Sequence, residues 1–219
     1  PLNLVILVAP YQVLSAIELV QRLTIEDCHL VILDFGYFPL DSFHAVIDEP
    51  QWASVRYLAL RYDLSGRNFG EKPPEGVVER CQELAQVWRQ FLRRRRVDHF
   101  LKKTREVENL ILGHYRISRA NAAGHIATRI SFGRLYVLDP GTDALRVARQ
   151  RLKELEDDGS GARRRSVSNV QGSRWKKWKA RIRNRYADWI HEPVPSLTFF
   201  SAYRLDVRSP DRLIVNDFA

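Results

Sequence analysis

Short apolar runs that alternate with helix-patterned segments most constrain the fold of this 219-residue chain. An apolar run without polar alternation is typical of a strand buried on both faces, as in a parallel sheet. Such strands are predicted at Leu4–Ala9, Leu30–Leu33, Val55–Leu60, Asn109–Leu112, Leu135–Leu138 and Leu197–Tyr203. Helices are predicted between them at Val13–Leu23, Val77–Phe91, Ala120–Ile130 and Ala144–Leu155.

This alternation predicts an α/β fold, a Rossmann-like, mostly parallel sheet flanked by helices. The sequence shows no internal repeat and no second complete hydrophobic core, so residues 1–219 are predicted to form one domain. A polar, mobile stretch is expected from Asp157 onwards, and the tail from Ser209 is expected to hold no element beyond Leu213–Val215.

The cellular compartment is predicted from two features. The early apolar run is too short to span a membrane, and no basic segment precedes it as in a signal peptide. Cys28 and Cys81 form no disulfide or metal pattern, which favours buried thiols in a reducing compartment. We therefore expect a cytoplasmic protein.

Polar residues that follow the strands are the candidate site. Ligands of open α/β sheets bind outside the carboxyl ends of the strands. The loops that begin there are Pro10–Gln12, Asp34–Gly36, Arg61–Asp63, Gly113–Tyr115 and Asp139–Gly141. If the strands are correct, these five loops share one edge of the sheet.

Asp139 is the leading catalytic candidate because it directly ends a strand and Pro140-Gly141 makes a tight turn behind it. A carboxylate held there can accept a proton from an attacking sugar hydroxyl as a general base. The alternative, commoner for an isolated Asp-Pro-Gly, is that Asp139 caps the turn or the next helix.

Gln12 and His114 are the predicted polar contacts with a substrate. Gln12 can bind a sugar or hold its own loop, and His114 can donate, act as a base or simply face solvent. Either residue taken alone is more often structural. The remaining candidate contacts on the same edge are Gly36, Gly113, Gly141 and Thr142.

Several common motifs are absent from the sequence. No G-x-G-x-x-G follows the first strand, and there is no Walker A loop, no G-x-S-x-G, no Asp-x-Asp after a strand and no zinc spacing. We therefore expect a mechanism without a metal ion and without a bound cofactor.

The net charge of +9 is concentrated in one segment. Residues 163–185 hold ten Lys or Arg and no acid, which leaves 9 − 10 = −1 for the rest of the chain. A helix is predicted at 173–190, with aromatic residues spaced along one face. It can pack its aromatic face on the core, lie on an anionic membrane surface or bind nucleic-acid phosphates; the first is favoured and the last least. The predicted membrane-surface residues are Trp175, Lys176, Lys177, Trp178, Lys179 and Arg181.

Four segments resemble bacterial sialyltransferases and capsule polysialyltransferases, and they occur in that family's order. They are an apolar strand, Pro-x-Gln turn and helix at Leu4–Glu18; a strand and glycine at Asn109–Gly113; a strand, acid and Gly-Thr at Arg134–Thr142; and a strand at Leu197–Tyr203.

The resemblance implies a two-domain GT-B architecture. The first, Rossmann-like domain of that family binds the acceptor and carries a catalytic acid, which corresponds to Asp139 here. The second binds the donor, CMP-sialic acid, through a His that is often followed by Pro. This sequence has Pro140 where the family has a second acid, and it contains no His-Pro dipeptide. We therefore expect a donor-binding C-terminal domain outside this chain.

The resemblance thus implies an inverting, metal-independent sialyltransferase-like enzyme that acts on a glycan or glycolipid, in capsule or lipopolysaccharide synthesis, with peripheral contact to the inner membrane. One alternative is a non-catalytic membrane-surface or assembly module with the same fold. A further alternative is a nucleic-acid-binding protein, which no groove-reading motif supports.

Overall fold

The computed structural model describes residues 2–47, 49–61, 77–104, 106–114, 122–139, 143–159 and 194–216. Within these ranges seven strands form one sheet in the order β3-β2-β1-β4-β5-β6-β7, and every neighbouring pair is parallel. The strands are β1 (Asn3–Leu7), β2 (Cys28–Asp34), β3 (Ser54–Ala59), β4 (Glu106–Leu112), β5 (Ser131–Asp139), β6 (Thr198–Ser201) and β7 (Arg212–Val215). The predicted Rossmann-like α/β fold is confirmed.

Helices cover both faces of the sheet. They are α1 (Tyr11–Arg22), α2 (Leu40–His44), α3 (Val77–Leu101), α4 (Ala122–Ala127) and α5 (Asp143–Gly159). Val13, Ala16 and Leu19 of α1 pack on one face together with Phe43 of α2. The other three helices pack on the opposite face. No helix in the described ranges is long and apolar enough to cross a membrane.

Burial on both faces explains the apolar strands. All five residues of β1 are buried, and so are six of the seven residues of β2. Odd-numbered side chains of β1, such as Val5, join the cluster under α1, and even-numbered ones, such as Leu4, join the other cluster. A strand with this environment cannot alternate apolar and polar residues, because neither side of it meets water.

Strand β1 ends two residues earlier than predicted. The predicted strand ran to Ala9, but the N–H groups of Val8 and Ala9 donate to the Gln12 side chain rather than to a neighbouring strand. The apolar character of these two residues therefore reflects burial at the strand end and not pairing in the sheet.

Helix α3 is ten residues longer than predicted, since it continues from Phe91 to Leu101. Its buried side chains Val97 and Leu101 lie four residues apart and extend the apolar face beyond the arginine run. Trp88, inside the predicted helix, is 58% exposed and stacks on Phe91 at a centroid distance of 5.2 Å. Trp88 is therefore not a core residue.

Helix α3 is also longer than the strands that it connects. Its 25 residues rise about 37 Å, whereas the seven residues of β4 rise about 23 Å. Arg93 and Arg96 bond to the carbonyl oxygens of Leu60 and Ala59 at the carboxyl end of β3. The part of α3 before Arg93 therefore extends past that edge of the sheet.

The remaining differences from prediction are at element ends. Helix α4 ends at Ala127, three residues before the predicted end at Ile130, and α5 continues to Gly159, where a mobile stretch was expected from Asp157. The strand predicted at Leu197–Tyr203 is β6, and the tail contributes the edge strand β7. Helix α2 and a 3-10 turn at Glu49–Gln51 were not predicted.

A buried ion pair lies at the amino-terminal edge of the sheet, where it joins α5 to the residues that precede β6 and β7. Arg151 of α5 donates from Nε to Asp211 Oδ2 at 3.0 Å and from Nη2 to the Val194 carbonyl at 2.6 Å. Asp211 Oδ1 also accepts the backbone N–H of Leu197, just before β6. Both charged side chains are at most 5% exposed, so each depends on the other for its charge compensation.

We expect Arg151→Met to lower the free energy of unfolding by about 3–5 kcal/mol, because it leaves the Asp211 carboxylate buried without its counter-ion. Arg149→Met, on the exposed side of the same helix, is the control and should change stability by less than about 0.5 kcal/mol. Urea denaturation of both variants makes the measurement. Equal losses of unfolding free energy in the two variants would show that the Arg151–Asp211 pair contributes no more to stability than an exposed arginine.

Candidate functional site

The strand order reverses between β1 and β4, which lie side by side although they are far apart in sequence. The chain leaves β1 into α1 on one face of the sheet, and the helix after β4 packs on the other face. A crevice opens at such a reversal, at the carboxyl ends of the two strands. Pro10, Tyr11 and Gln12 lie on one side of this point, and Gly113 and His114 lie on the other.

Gln12 holds the turn that connects β1 to α1. Its side chain is buried, with 1% of its surface exposed. The carbonyl oxygen Oε1 accepts the backbone N–H groups of Val8 at 2.8 Å and Ala9 at 3.1 Å. The amide nitrogen Nε2 has no hydrogen-bond partner among the described residues. The oxygen end of the amide is therefore structural.

Gly113 is the residue that makes room for Gln12. A Cβ at this position would overlap Gln12 Oε1 and would lie 2.7 Å from its Cδ and 2.9 Å from Leu7 Cδ2. The Gly113 N–H donates to the Ile6 carbonyl at 2.9 Å, which continues the β1–β4 pairing by one residue. A side chain here would push the amide out of the turn.

Four backbone N–H groups at the turn after β1 are hydrogen-bonded to acceptors within the turn. Besides Val8 and Ala9, the N–H of Gln12 bonds to the Ala9 carbonyl and that of Val13 to the Pro10 carbonyl. In a dinucleotide site the corresponding N–H groups point at the pyrophosphate. The N–H groups of Val8 and Ala9 become available to a phosphate only if the Gln12 side chain moves, and those of Gln12 and Val13 are held by backbone carbonyls.

An ion pair fixes the loop after β2. Asp34, the last residue of β2, accepts Arg61 Nε at 2.7 Å on Oδ1 and at 2.6 Å on Oδ2, and Oδ1 also accepts the Gly36 N–H. Gly36 has φ +83°, a conformation that side chains rarely adopt, and Arg61 Cγ would lie 3.3 Å from a Cβ there. Arg61 also reaches the Phe38 carbonyl at 3.3 Å. Gly36 therefore has a structural role in the turn after β2, where its positive φ is required and its N–H group bonds to Asp34.

The pairing register brings the carboxyl ends of β4 and β5 to the same edge of the sheet. Leu112, the last residue of β4, pairs with Val137, two residues before β5 ends at Asp139, and His114 is the second residue after Leu112. Asp139 in turn pairs with Ser201 of β6. Neighbouring strands are about 4.8 Å apart, so the backbones of Asp139 and Ser201 lie side by side at the carboxyl edge. His114 is half-buried at this point.

Exposed aromatic residues lie beside the crevice. Tyr11 is 52% exposed and meets the Phe38 ring edge to face at 6.3 Å, while Tyr37 is 69% exposed and stacks on Phe35 at 5.8 Å. The guanidinium carbon of Arg93 lies 5.7 Å from the other ring, that of Phe35. These rings form two pairs, one within the β2–α2 loop and one between that loop and the start of α1, and we call Tyr11, Phe35, Tyr37 and Phe38 the aromatic edge.

The structure brings together most of the predicted site residues that it describes. Gln12 and Gly113 are in contact at the crevice, His114 follows Gly113, β5 ends at Asp139 on the neighbouring strand, and Gly36 lies two strands from β4. Gly141, Thr142 and the basic segment with Trp175, Lys176, Lys177, Trp178, Lys179 and Arg181 lie outside the described residues. In the described ranges no group of three or more His, Cys, Asp or Glu is arranged to hold a metal ion.

Asp34 with Arg61 and the aromatic edge were not singled out in the sequence. Their loops were among the five that were predicted, and an acid after β2 beside a base after β3 is a signal for pairing once the two strands are neighbours. Cys28, as predicted, is a buried free thiol; burial raises its pKa to about 11, and nearby Asp27 adds to this. It is therefore not a nucleophile at neutral pH.

No protein-family model and no curated protein matches the chain.

His125 contacts an aspartate, and this contact lies between two helices rather than on the edge loops. The buried ring of His125 in α4 lies 2.8 Å from Asp98 Oδ1 of α3, measured from Nε2. Burial lowers the pKa of His125 below its ordinary value of 6.5; Asp98 opposes this shift, and Arg94 and Arg129 add to it. The contact joins α3 to α4.

We expect Gln12→Ala and Gly113→Ala to be coupled. Gln12→Ala strips two N–H groups of their acceptor and should cost about 1–3 kcal/mol. Gly113→Ala forces a Cβ against the amide and should cost about 1–3 kcal/mol. The double variant should lose less than the sum, by at least about 0.5 kcal/mol, since the amide is already gone. Denaturant titration measures all three.

Gly133→Ala is the control for this cycle. Its Cβ would lie 2.9 Å from the Glu108 carbonyl oxygen, so it also costs stability, but it does not touch Gln12. Its loss should add to that of Gln12→Ala. Additivity in both pairs would contradict the close contact between Gln12 and Gly113.

Stability should fall as the pH drops below about 6.5, because the unfolded chain binds a proton at His125 that the folded chain takes up only at lower pH. The contribution is fully present above pH 6.5 and is lost on acidification. His125→Gln should flatten the slope of unfolding free energy between about pH 7 and pH 5. His99→Gln, an exposed histidine on α3, should keep the slope; identical slopes in all three proteins would refute the assignment.

Proposed function

We propose that this domain binds the acceptor of an inverting, metal-independent glycosyltransferase of the sialyltransferase type. The observation that carries the proposal is that β4, which His114 follows by two residues, and β5, which ends at Asp139, are neighbours at the carboxyl edge beside the reversal of strand order. A base and a polar partner at that place suit a reaction in which a hydroxyl group loses its proton. The resemblance of four segments to sialyltransferases supplies the reaction class.

The geometry of the β1–α1 turn supports a ligand other than a dinucleotide. The N–H groups that would face a pyrophosphate are bonded to Gln12 and to turn carbonyls. Asp34, at the place where such proteins bind a ribose hydroxyl, is committed to Arg61. What this edge presents instead is the aromatic edge, with the exposed rings of Tyr11 and Tyr37, which suit the C–H faces of a sugar.

In the proposed reaction the Asp139 carboxylate accepts the proton of an acceptor hydroxyl. The acceptor oxygen forms a bond to the anomeric carbon of CMP-sialic acid. The bond from that carbon to the phosphate oxygen breaks, and CMP leaves with the electron pair. The configuration at the anomeric carbon inverts because attack and departure occur on opposite sides. Gln12 Nε2 and His114 orient the acceptor, and such positioning contributes up to about 7–11 kcal/mol to rate acceleration.

Asp139→Asn should lower transfer to an acceptor by about 100- to 10,000-fold, the usual contribution of a general base. The assay follows CMP release from CMP-sialic acid in the presence of a panel of glycans and glycolipids, with the protein in the form its native source makes. Asp206→Asn is the control, because Asp206 is an exposed acid on the β6–β7 connection.

Three outcomes separate the possibilities. Loss in Asp139→Asn but not in Asp206→Asn supports the base assignment. Full activity in Asp139→Asn contradicts that assignment but remains consistent with a glycosyltransferase. Absence of donor-dependent product with every acceptor contradicts the enzyme, and the domain would then be a non-catalytic module with this fold.

A further inference from the structure

The loop between β2 and α2 presents an exposed aromatic ring on a rigid base. Tyr37 is the most exposed large hydrophobic residue described, yet its neighbours on both sides are fixed. Phe35 stacks on Tyr37, and the Arg93 guanidinium carbon lies 5.7 Å from the centroid of the Phe35 ring. On the other side, Phe38 contacts the buried ring of Phe43 at 6.4 Å.

Polar bonds hold the same loop. Asp34 accepts the Gly36 N–H at 2.9 Å, and Arg61 joins Asp34 to the Phe38 carbonyl. The outer face of Tyr37 is thus open to solvent on a loop that is tied at both ends. A fixed, exposed ring loses little conformational entropy when a ligand packs on it, which is a property of binding surfaces rather than of random surface residues.

The aromatic edge connects this ring to the proposed reaction centre. Tyr11 touches Phe38 and directly precedes Gln12 in the turn. Strand β2 is separated from β5, which ends at Asp139, by β1 and β4. Three strand spacings amount to about 14 Å. This distance exceeds the width of one sugar ring, so a sugar on Tyr37 cannot be the sugar whose hydroxyl reaches Asp139.

We propose that Tyr37 is a distal acceptor subsite: it stacks against a sugar ring of an oligosaccharide whose terminal residue lies at Gln12, His114 and Asp139. This inference rests on the proposed function for the position of the reacting end. The domain therefore binds oligosaccharides better than monosaccharides. Tyr11 supports the intervening sugar, since it lies between the two positions along the aromatic edge.

A nucleotide base stacked on Tyr37 is the competing occupant. A base on this ring would bring its phosphate toward the β1–α1 turn, where the N–H groups of Val8 and Ala9 are bonded to Gln12. Asp34, the acid nearest to a ribose bound there, is paired with Arg61. The polar surroundings therefore favour a sugar ring over a nucleotide.

The test measures binding without the donor, by isothermal titration or ligand-observed NMR. The probes are a monosaccharide, a disaccharide and a tetrasaccharide, in one galactose-terminated and one sialic-acid-terminated series, together with CMP. Tyr37→Ala should weaken tetrasaccharide binding about 2- to 10-fold, the usual range for one aromatic contact, and leave monosaccharide binding unchanged. Tyr57→Ala is the control: Tyr57 is 36% exposed but lies on the edge strand β3.

Each outcome decides something. A length-dependent loss in Tyr37→Ala alone supports the subsite. Equal loss for all lengths, no loss, loss of CMP binding instead, or no saccharide binding in either series overturns it. Donor-dependent transfer that does not depend on Tyr37 overturns the subsite and keeps the proposed function. Tyr37-dependent binding without any transfer keeps the subsite and overturns the catalytic proposal.

Discussion

Parallel pairing of strands whose two faces are both covered by helices decides where polar chemistry can occur. In β1 every side chain is buried, and its backbone groups pair with β2 and β4. A polar group in the middle of such a sheet would be desolvated without a partner, at a cost of several kcal/mol. Polar side chains are therefore collected at the two edges. The amino-terminal edge uses them for structure, as in the Arg151–Asp211 pair.

The carboxyl edge resembles a dinucleotide site in topology but not in chemistry. Its strand order begins 3-2-1-4-5-6, the order of dinucleotide-binding sheets. A glycine-rich turn would leave N–H groups open for a phosphate, whereas here Gln12 places its own oxygen against them. This arrangement requires a glycine at position 113, because the Gln12 amide occupies the volume where a Cβ of that residue would lie. In the same backbone frame, a side-chain oxygen therefore occupies the N–H groups that would form an anion site.

The fold was predictable because the apolar composition of a strand indicates that both of its faces are buried. Leu30–Leu33 can be recognised as buried from its composition alone, and once the strands are parallel their carboxyl ends must share one edge. Element ends were less predictable. Val8 and Ala9 are apolar yet bond to a side chain four and three residues ahead, and no periodicity reveals this.

Contacts between distant residues were the least predictable part of the site. Asp34 and Arg61 are 27 residues apart, and Glu18 and Asn216, which share a hydrogen bond of 2.7 Å, are 198 apart. Neither pair has a local signature. The first becomes predictable only after β2 and β3 are known to be neighbours, and the second only after β7 is known to lie at the far end of the sheet. The residue types of the site could be predicted, but their partners could not.

The run of arginines at 93–96 shows why charge patterns need this structural context. A basic run on an exposed helix is commonly associated with phosphate binding. Here Arg93 and Arg96 donate to the carbonyl oxygens of Leu60 and Ala59, which end the edge strand β3. Arg94 lies 3.7 Å from Asp98, one helical turn ahead. Two of the guanidinium groups thus complete the hydrogen bonding of β3, and a third is balanced by a carboxylate. The run is consequently better explained by the attachment of a long helix to the carboxyl edge than by an attraction to nucleic acid.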